Sequence, residues 1–154
     1  MKIIDLLNSN RILPSLTATT KKGVLEELAD ALVKGFDNLD RNKVVEVLLE
    51  RESLGSTGIG DNIAIPHGKL ADLDNLVLCF GRSLPGVNFD SMDGKPTHLF
   101  FLLMAPENSI GLHLKALAKI SRLLKDSSFR RNLLEAADAT AIMKLLVAED
   151  SDLN

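Results

Sequence analysis

The sequence has one cysteine, Cys79, so neither a disulfide framework nor a cysteine-rich metal site is available. Cys79 lies inside the apolar run LVLCF and reads as a small buried hydrophobe. No stretch reaches 18 uninterrupted apolar residues, and the N-terminal MKIIDLLNSN interrupts its short apolar run with Asp5 and Asn8. That excludes a membrane-spanning helix and a secretory leader, and the expected location is the cytoplasm. Basic residues are dispersed: only Lys21-Lys22 and Arg130-Arg131 are adjacent, and the formal net charge is −3. No stripe exists to neutralise a phosphate backbone, which argues against nucleic acid as a partner. Low-complexity tracts and internal repeats are also missing.

What is present is ordinary globular composition over 154 residues, with 45% apolar and 25% charged residues, enough for one folded domain spanning 1–154. Val24, Leu25, Leu28, Ala31, Leu32 and Phe36 fall at helical spacing and predict a helix from about Lys21 to Lys34, capped by Thr20. A second helix is expected after an Asp40 cap, with Val44, Val45, Leu48 and Leu49 inward and Arg51 in its last turn. NLVLCFG (75–81) and THLFFLLMAP (97–106) are short, apolar on both faces and bounded by Gly or Pro, as strands covered on both sides are. Between them Val87 and Phe89 keep a period of two, and Asp93-Gly94 supplies a turn, so the two runs should form a hairpin. The last third returns to helical spacing. Ile110, His113, Leu117, Ile120 and Leu124 share one side of a wheel, Ser127 and Asp138 read as caps of two further helices, and EDSDLN reads as frayed. Helices before and after a mixed sheet predict a three-layer α/β domain with helices on both faces.

The stretch RESLGSTGIGDNIAIPHG, Arg51 to Gly68, concentrates glycines at 55, 58, 60 and 68 between a helix and a strand. It matches neither the dinucleotide fingerprint, which needs a strand first, nor the phosphate loop, because no Gly-Lys-Ser/Thr occurs. Loop geometry alone accounts for such glycines, or they let a chain or ligand approach closely. His67 stands between Pro66 and Gly68, a rigid mount with open space beside it, and neutral imidazole is a nucleophile near pH 7. His113 reads either as a satisfied core histidine or as a group near a helix N-terminus that favours an anion. His98, at the start of a strand, reads as structural. A three-histidine metal site lacks any supporting spacing. Arg51 and Glu52 read as a solvated pair, or, if the loop folds back, Arg51 aims its fork of donors at a phosphate near His67.

The run RESLGSTGIGDNIAIPHGKL closely resembles the active-site signature of enzyme IIA of the bacterial phosphotransferase system, fructose/mannitol type, and above all its nitrogen-related branch. The DLL opening, VNFDSMDGKPTHLFFLLMAP and HLKALAKISRLL fall in the order of that family and extend the likeness over nearly the whole chain. The resemblance implies a mixed sheet flanked by helices and a phosphohistidine relay with no metal or organic cofactor. A small histidine phosphocarrier protein donates the phosphoryl group to His67; His113 donates a hydrogen bond, and Arg51 offsets charge on the phosphoryl group. Ser56, Thr57 and Asp61 are the expected supporting residues. Asp61-Asn62 departs from the usual Asn-Gly of the nitrogen-related branch, and Asp61 either orients an imidazole or repels phosphate. Three functions follow: a phosphorylated nitrogen-related regulator, a sugar-specific enzyme IIA passing phosphate to a IIB partner, or a binding module that never carries phosphate.

Overall fold

In the computed structural model, which describes residues 2–152, the chain runs α1 (Ile3–Leu6), β1 (Ile12–Leu13), α2 (Lys21–Val33), α3 (Arg41–Ser53), β2 (Gly58–Gly60), β3 (Ile63–Ala64), β4 (His67–Leu70), β5 (Val77–Val87), β6 (Thr97–Pro106), α4 (Ile110–Leu123), α5 (Ser127–Glu135) and α6 (Ala139–Asp152). The sheet order is β1-β5-β6-β3-β2, with β4 also on β6. β5 is antiparallel to β6, whereas β3 and β4 run parallel to it, so the sheet is mixed as expected.

Successive strand residues point to opposite faces, and β6 fills both. Leu99, Phe101, Leu103 and Ala105 pack with α1 and α4 to α6, while Phe100, Leu102 and Met104 pack with α2 and α3. The result is the anticipated three-layer sandwich. Phe80 against Phe101 and Phe89 against Phe100 meet edge to face, one pair on each side of the sheet. Cys79 is fully buried on the α2/α3 side, and burial pushes its thiol up to about 12.

The caps follow the sequence with one correction. Thr20 accepts the Gly23 N–H at 3.0 Å, Asp40 accepts from Asn42, and Asp138 accepts from Ala141. The cap of α5 is Asp126, which takes the N–H groups of Ser128 and Phe129, and Ser127 is already helical. A carboxylate accepts two donors where a hydroxyl one position later accepts none. β5 is longer than the 75–81 run and carries through an irregularity between Arg82 and Val87, so Val87 ends β5 and Phe89 follows it. Ile110, expected inward, is 60% exposed. Residues 149–152 are helical rather than frayed: Asp150 is buried, accepts the Ile3 N–H at 2.6 Å and pairs with Lys119 at 2.6 Å. Leu153 and Asn154 lie outside the described residues.

Arg82 explains another part of the packing. It is buried without a carboxylate, and its guanidinium donates to the carbonyls of Pro14, Leu133 and Ala136. The carbonyls at the end of α5 have no helical partners, so a cation there satisfies them and complements the helix dipole.

Gly68 sets the distance between α3 and the sheet. A Cβ there would lie 2.6 Å from Val47 Cγ1 and 3.3 Å from Met104 Cε. Val47 precedes Arg51 by one helical turn, so the missing side chain lets α3 lie close enough to β4 for Arg51 to reach the strand. Gly68→Ala should overpack this contact and destabilise the fold by about 1–3 kcal/mol, measured by urea unfolding. A variant within ~0.5 kcal/mol of wild type would show that Val47 re-rotates and that α3 is not held by this contact.

Candidate functional site

β3 and β4 divide one edge of β6 between them, and Pro66 marks the break. Having no N–H to donate, it suits a strand interruption, while its carbonyl accepts the Leu103 N–H at 2.9 Å. The chain re-enters the sheet at His67, opposite Leu103. His67, expected to be exposed, is half-buried and opens on a cleft of about 750 Å³ lined by Arg51, Leu54, Lys69, His113 and Leu114 among others.

Both nitrogens of the His67 ring are engaged. Nδ1 lies 2.8 Å from the Ile65 carbonyl oxygen. An oxygen of that kind only accepts, so Nδ1 carries the proton and Nε2 presents its lone pair. Arg51 Nε donates to that lone pair at 3.3 Å, and another guanidinium nitrogen donates to the Gly55 carbonyl at 2.9 Å. The last turn of α3 thus faces the start of β4.

From the other helical layer comes His113, in the first turn of α4. Its ring centroid is 5.5 Å from that of His67, with the planes 66° apart. His113 is 6% exposed, and its Nε2 is buried with no hydrogen-bond partner among the described residues. Burial first, then the neighbouring His67 and Lys69, hold its pKa below the usual histidine value. The structure therefore brings together Arg51, His67 and His113, with the His113 Nε2 left without a partner among the described residues.

The other expected residues lie elsewhere. Ser56 donates to the Phe89 carbonyl at 2.7 Å and accepts from the Gly58 N–H, and Thr57 bonds Glu52; neither bonds His67. Asp61 is exposed at the β2–β3 turn, its N–H on Asp93, with Asp61 and Asn62 at φ 54° and 68°. This turn adjoins the Leu99 end of β6, four residues from Leu103 and so about 13 Å from His67 along the strand. Asp61 thus neither orients the imidazole nor faces a phosphoryl group on it. Asn62 tolerates the left-handed backbone, and its Oδ1 accepts from His98 Nδ1 at 2.9 Å. Burial lowers the His98 pKa. Gly86, at φ 85°, leaves the space that His98 occupies, since a Cβ there would sit 2.6 Å from His98 Nε2. His98 is structural, and among the described residues no cluster of three or more His, Cys, Asp or Glu could hold a metal ion.

Two residues escaped the sequence reading. Lys69 lines the cleft and bears on His113; its signal was its place two residues after His67, on the same face of a strand. Glu52 is buried rather than solvated, and nothing in the local sequence distinguishes it from its exposed neighbour Glu50.

Known proteins share this arrangement of chain and fold. The family model of the phosphoenolpyruvate-dependent sugar phosphotransferase system, EIIA 2, matches residues 5–149. The chain is 45% identical over 146 residues to the nitrogen regulatory protein of Bradyrhizobium diazoefficiens, covering 95% of each. It is 41% identical over 150 residues to the fructose-specific EIIABC component of Bacillus subtilis, covering 97% of this chain and 24% of that protein. Nitrogen regulatory protein IIA-Ntr from Neisseria meningitidis superposes with a TM-score of 0.88 at 35% identity, over 94% of this chain and 98% of that one. IIA mannitol from Escherichia coli superposes at 0.77 and 25% identity, over 91% and 98%. No helix among the described residues is long and apolar enough to cross a membrane. The resemblance carried by Arg51 to Leu70 thus extends to sequence and fold together, and the chain belongs to the EIIA type 2 family of the phosphoenolpyruvate-dependent sugar phosphotransferase system.

Proposed function

We propose that the protein is a cytoplasmic phosphohistidine carrier that accepts a phosphoryl group on His67 Nε2 from a histidine phosphocarrier protein and acts mainly as a nitrogen-related regulator. The observation that carries this reading is the lone pair of His67 Nε2, met by the Arg51 guanidinium, on a ring whose centroid is 5.5 Å from that of His113, whose own Nε2 has no partner among the described residues. In the transfer, the Nε2 lone pair forms the new N–P bond as the P–N bond to the donor imidazole breaks, and the donor nitrogen keeps that electron pair. No proton leaves His67, because Nε2 is already bare and the proton stays on Nδ1, donated to the Ile65 carbonyl oxygen.

Phosphoryl transfer depends on positioning and on charge stabilisation. Arg51 turns its Nε–H from the lone pair to a phosphoryl oxygen, and His113 supplies a second donor from the opposite helical layer. Exposed Leu54, Ile110 and Leu114 lie around the cleft or on the α4 turn that bears His113, an apolar rim suited to a docking protein. A phosphoryl group adds about −1.5 to −2 charges at this rim, enough to change which partners dock. The likeness to nitrogen regulatory proteins along 95% of both chains supports the regulatory role. The likeness to a fructose-specific EIIABC component supports a second reading, a sugar-specific enzyme IIA that passes the phosphoryl group to a IIB partner.

Intact-mass measurement after incubation with phosphoenolpyruvate, enzyme I and the phosphocarrier should show one acid-labile phosphoryl group on wild type and none on His67→Ala, with both proteins equally folded. Uptake by the variant would move the acceptor elsewhere; no uptake by wild type from active donors would leave a binding module. Phosphorylation should also raise the His113 pKa from its lowered value, because a dianion beside a buried imidazole favours the protonated form. A proton NMR titration of His113 before and after phosphorylation reads this directly, and an unchanged midpoint would remove His113 from the phosphoryl group.

A further inference from the structure

Glu52 is 9% exposed and wholly engaged. Its Oε1 accepts the Thr57 N–H at 3.0 Å and meets Lys21 Nζ at 3.0 Å, and its Oε2 accepts the Thr57 hydroxyl. Lys21 opens α2, lies 4.8 Å from the Phe89 ring centroid and is 3.6 Å from Asp90. A buried carboxylate is tolerated only with such donors, yet an apolar set of the same shape is often as stable. The pair therefore calls for a reason other than stability.

That reason is where the bonds lead. The Thr57 carbonyl accepts the Ile65 N–H at 3.1 Å, and the Ile65 carbonyl is the acceptor of His67 Nδ1–H. Arg51, adjacent to Glu52, spans from the Gly55 carbonyl to His67 Nε2. Each of the two hydrogen bonds on the imidazole thus traces back through one residue to the Glu52–Thr57 contact. The intervening segment has permissive backbone at Gly55 and Gly58, so the side-chain contacts of Ser56 with Phe89 and of Thr57 with Glu52 fix it, and only the latter leads back to α3.

We propose that Glu52 is the positioning residue of the phosphoryl-acceptor site. By clamping Thr57 to the end of α3, it sets the tautomer and orientation of His67 and the reach of Arg51, without touching the phosphoryl group itself. This rests on His67 being the acceptor.

The test uses the full chain with Glu52→Ala, Glu52→Gln and Thr57→Val, the last exchanging a hydroxyl for a methyl of like shape. In unphosphorylated wild type, nitrogen-15 NMR of the imidazoles should show His67 with a protonated Nδ1 and a bare Nε2. In Glu52→Ala the two signals should move toward each other as tautomers mix. Phosphoryl uptake should lose about tenfold or more in kcat with KM within ~2-fold, since misplaced groups slow the chemical step. The loss should shrink, to the share carried by His67 orientation, when Glu52→Ala is made in an Arg51→Ala background. Glu52→Gln should fall between, and Thr57→Val should show the same Arg51 dependence if Glu52→Ala does not fold. An unchanged His67 tautomer in a folded variant, or the same fold-loss with and without Arg51, would overturn the proposal and leave Glu52 a general structural residue. The tautomer measurement needs no phosphate donor. A wild type that takes up no phosphate therefore counts against the proposed function and not against the clamp.

Discussion

Every residue of β6 from Leu99 to Ala105 is buried, so the strand has to be covered on both faces and paired along both edges. The faces are met by two helical layers that take alternate side chains. One edge is filled by β5, antiparallel and eleven residues long. The other is shared by two short parallel strands, β3 and β4, with Pro66 between them. That division creates the site: a single long strand would carry its side chains straight past the end of β6, whereas the break re-enters at His67 and leaves its ring at the mouth of a cleft.

The polar chemistry is assembled by apolar packing. Arg51 arrives with the α3 layer, brought close by the absence of a side chain at Gly68, and His113 arrives with the α4 layer on the far side of the sheet. Both helices line the same cleft, each packed on one face of the same sheet. The imidazole of His67 is fixed from behind by a backbone carbonyl, which leaves its other nitrogen for chemistry. Burial of His113, with His67 and Lys69 beside it, holds its pKa below the usual histidine value and so disfavours a further fixed positive charge beside Arg51.

A nitrogen regulatory protein matches this chain end to end, and a fructose-specific EIIABC component matches it over about a quarter of its own length. One domain architecture thus occurs in a relative of about this length and within a much longer component. What surrounds His67 is a property of the fold, while what docks against the cleft depends on the surfaces around it.

Much was legible from local patterns. The periodicity of α2 and α3, the Thr20 and Asp40 caps, the doubly covered strands and the mixed three-layer class follow from short-range propensity and from which residues avoid water. The Pro-His-Gly mount and Arg51 at a helix end stood out because their residue types are unusual where they occur. Asp61 was misplaced because its nearness to His67 in sequence says nothing about which end of β6 each strand meets. Asp150 read as part of a frayed tail because the Ile3 N–H and Lys119 that order it lie far away in sequence. Glu52 read as solvated because its donors come from another helix and from a loop that folds back. Local pattern was enough for the elements, their apolar faces and the histidine that heads a strand. Tertiary structure alone decided which nitrogen of that histidine is bare and which cations face it, because hydrogen-bond partners are fixed by distance in space and periodicity carries no record of that distance.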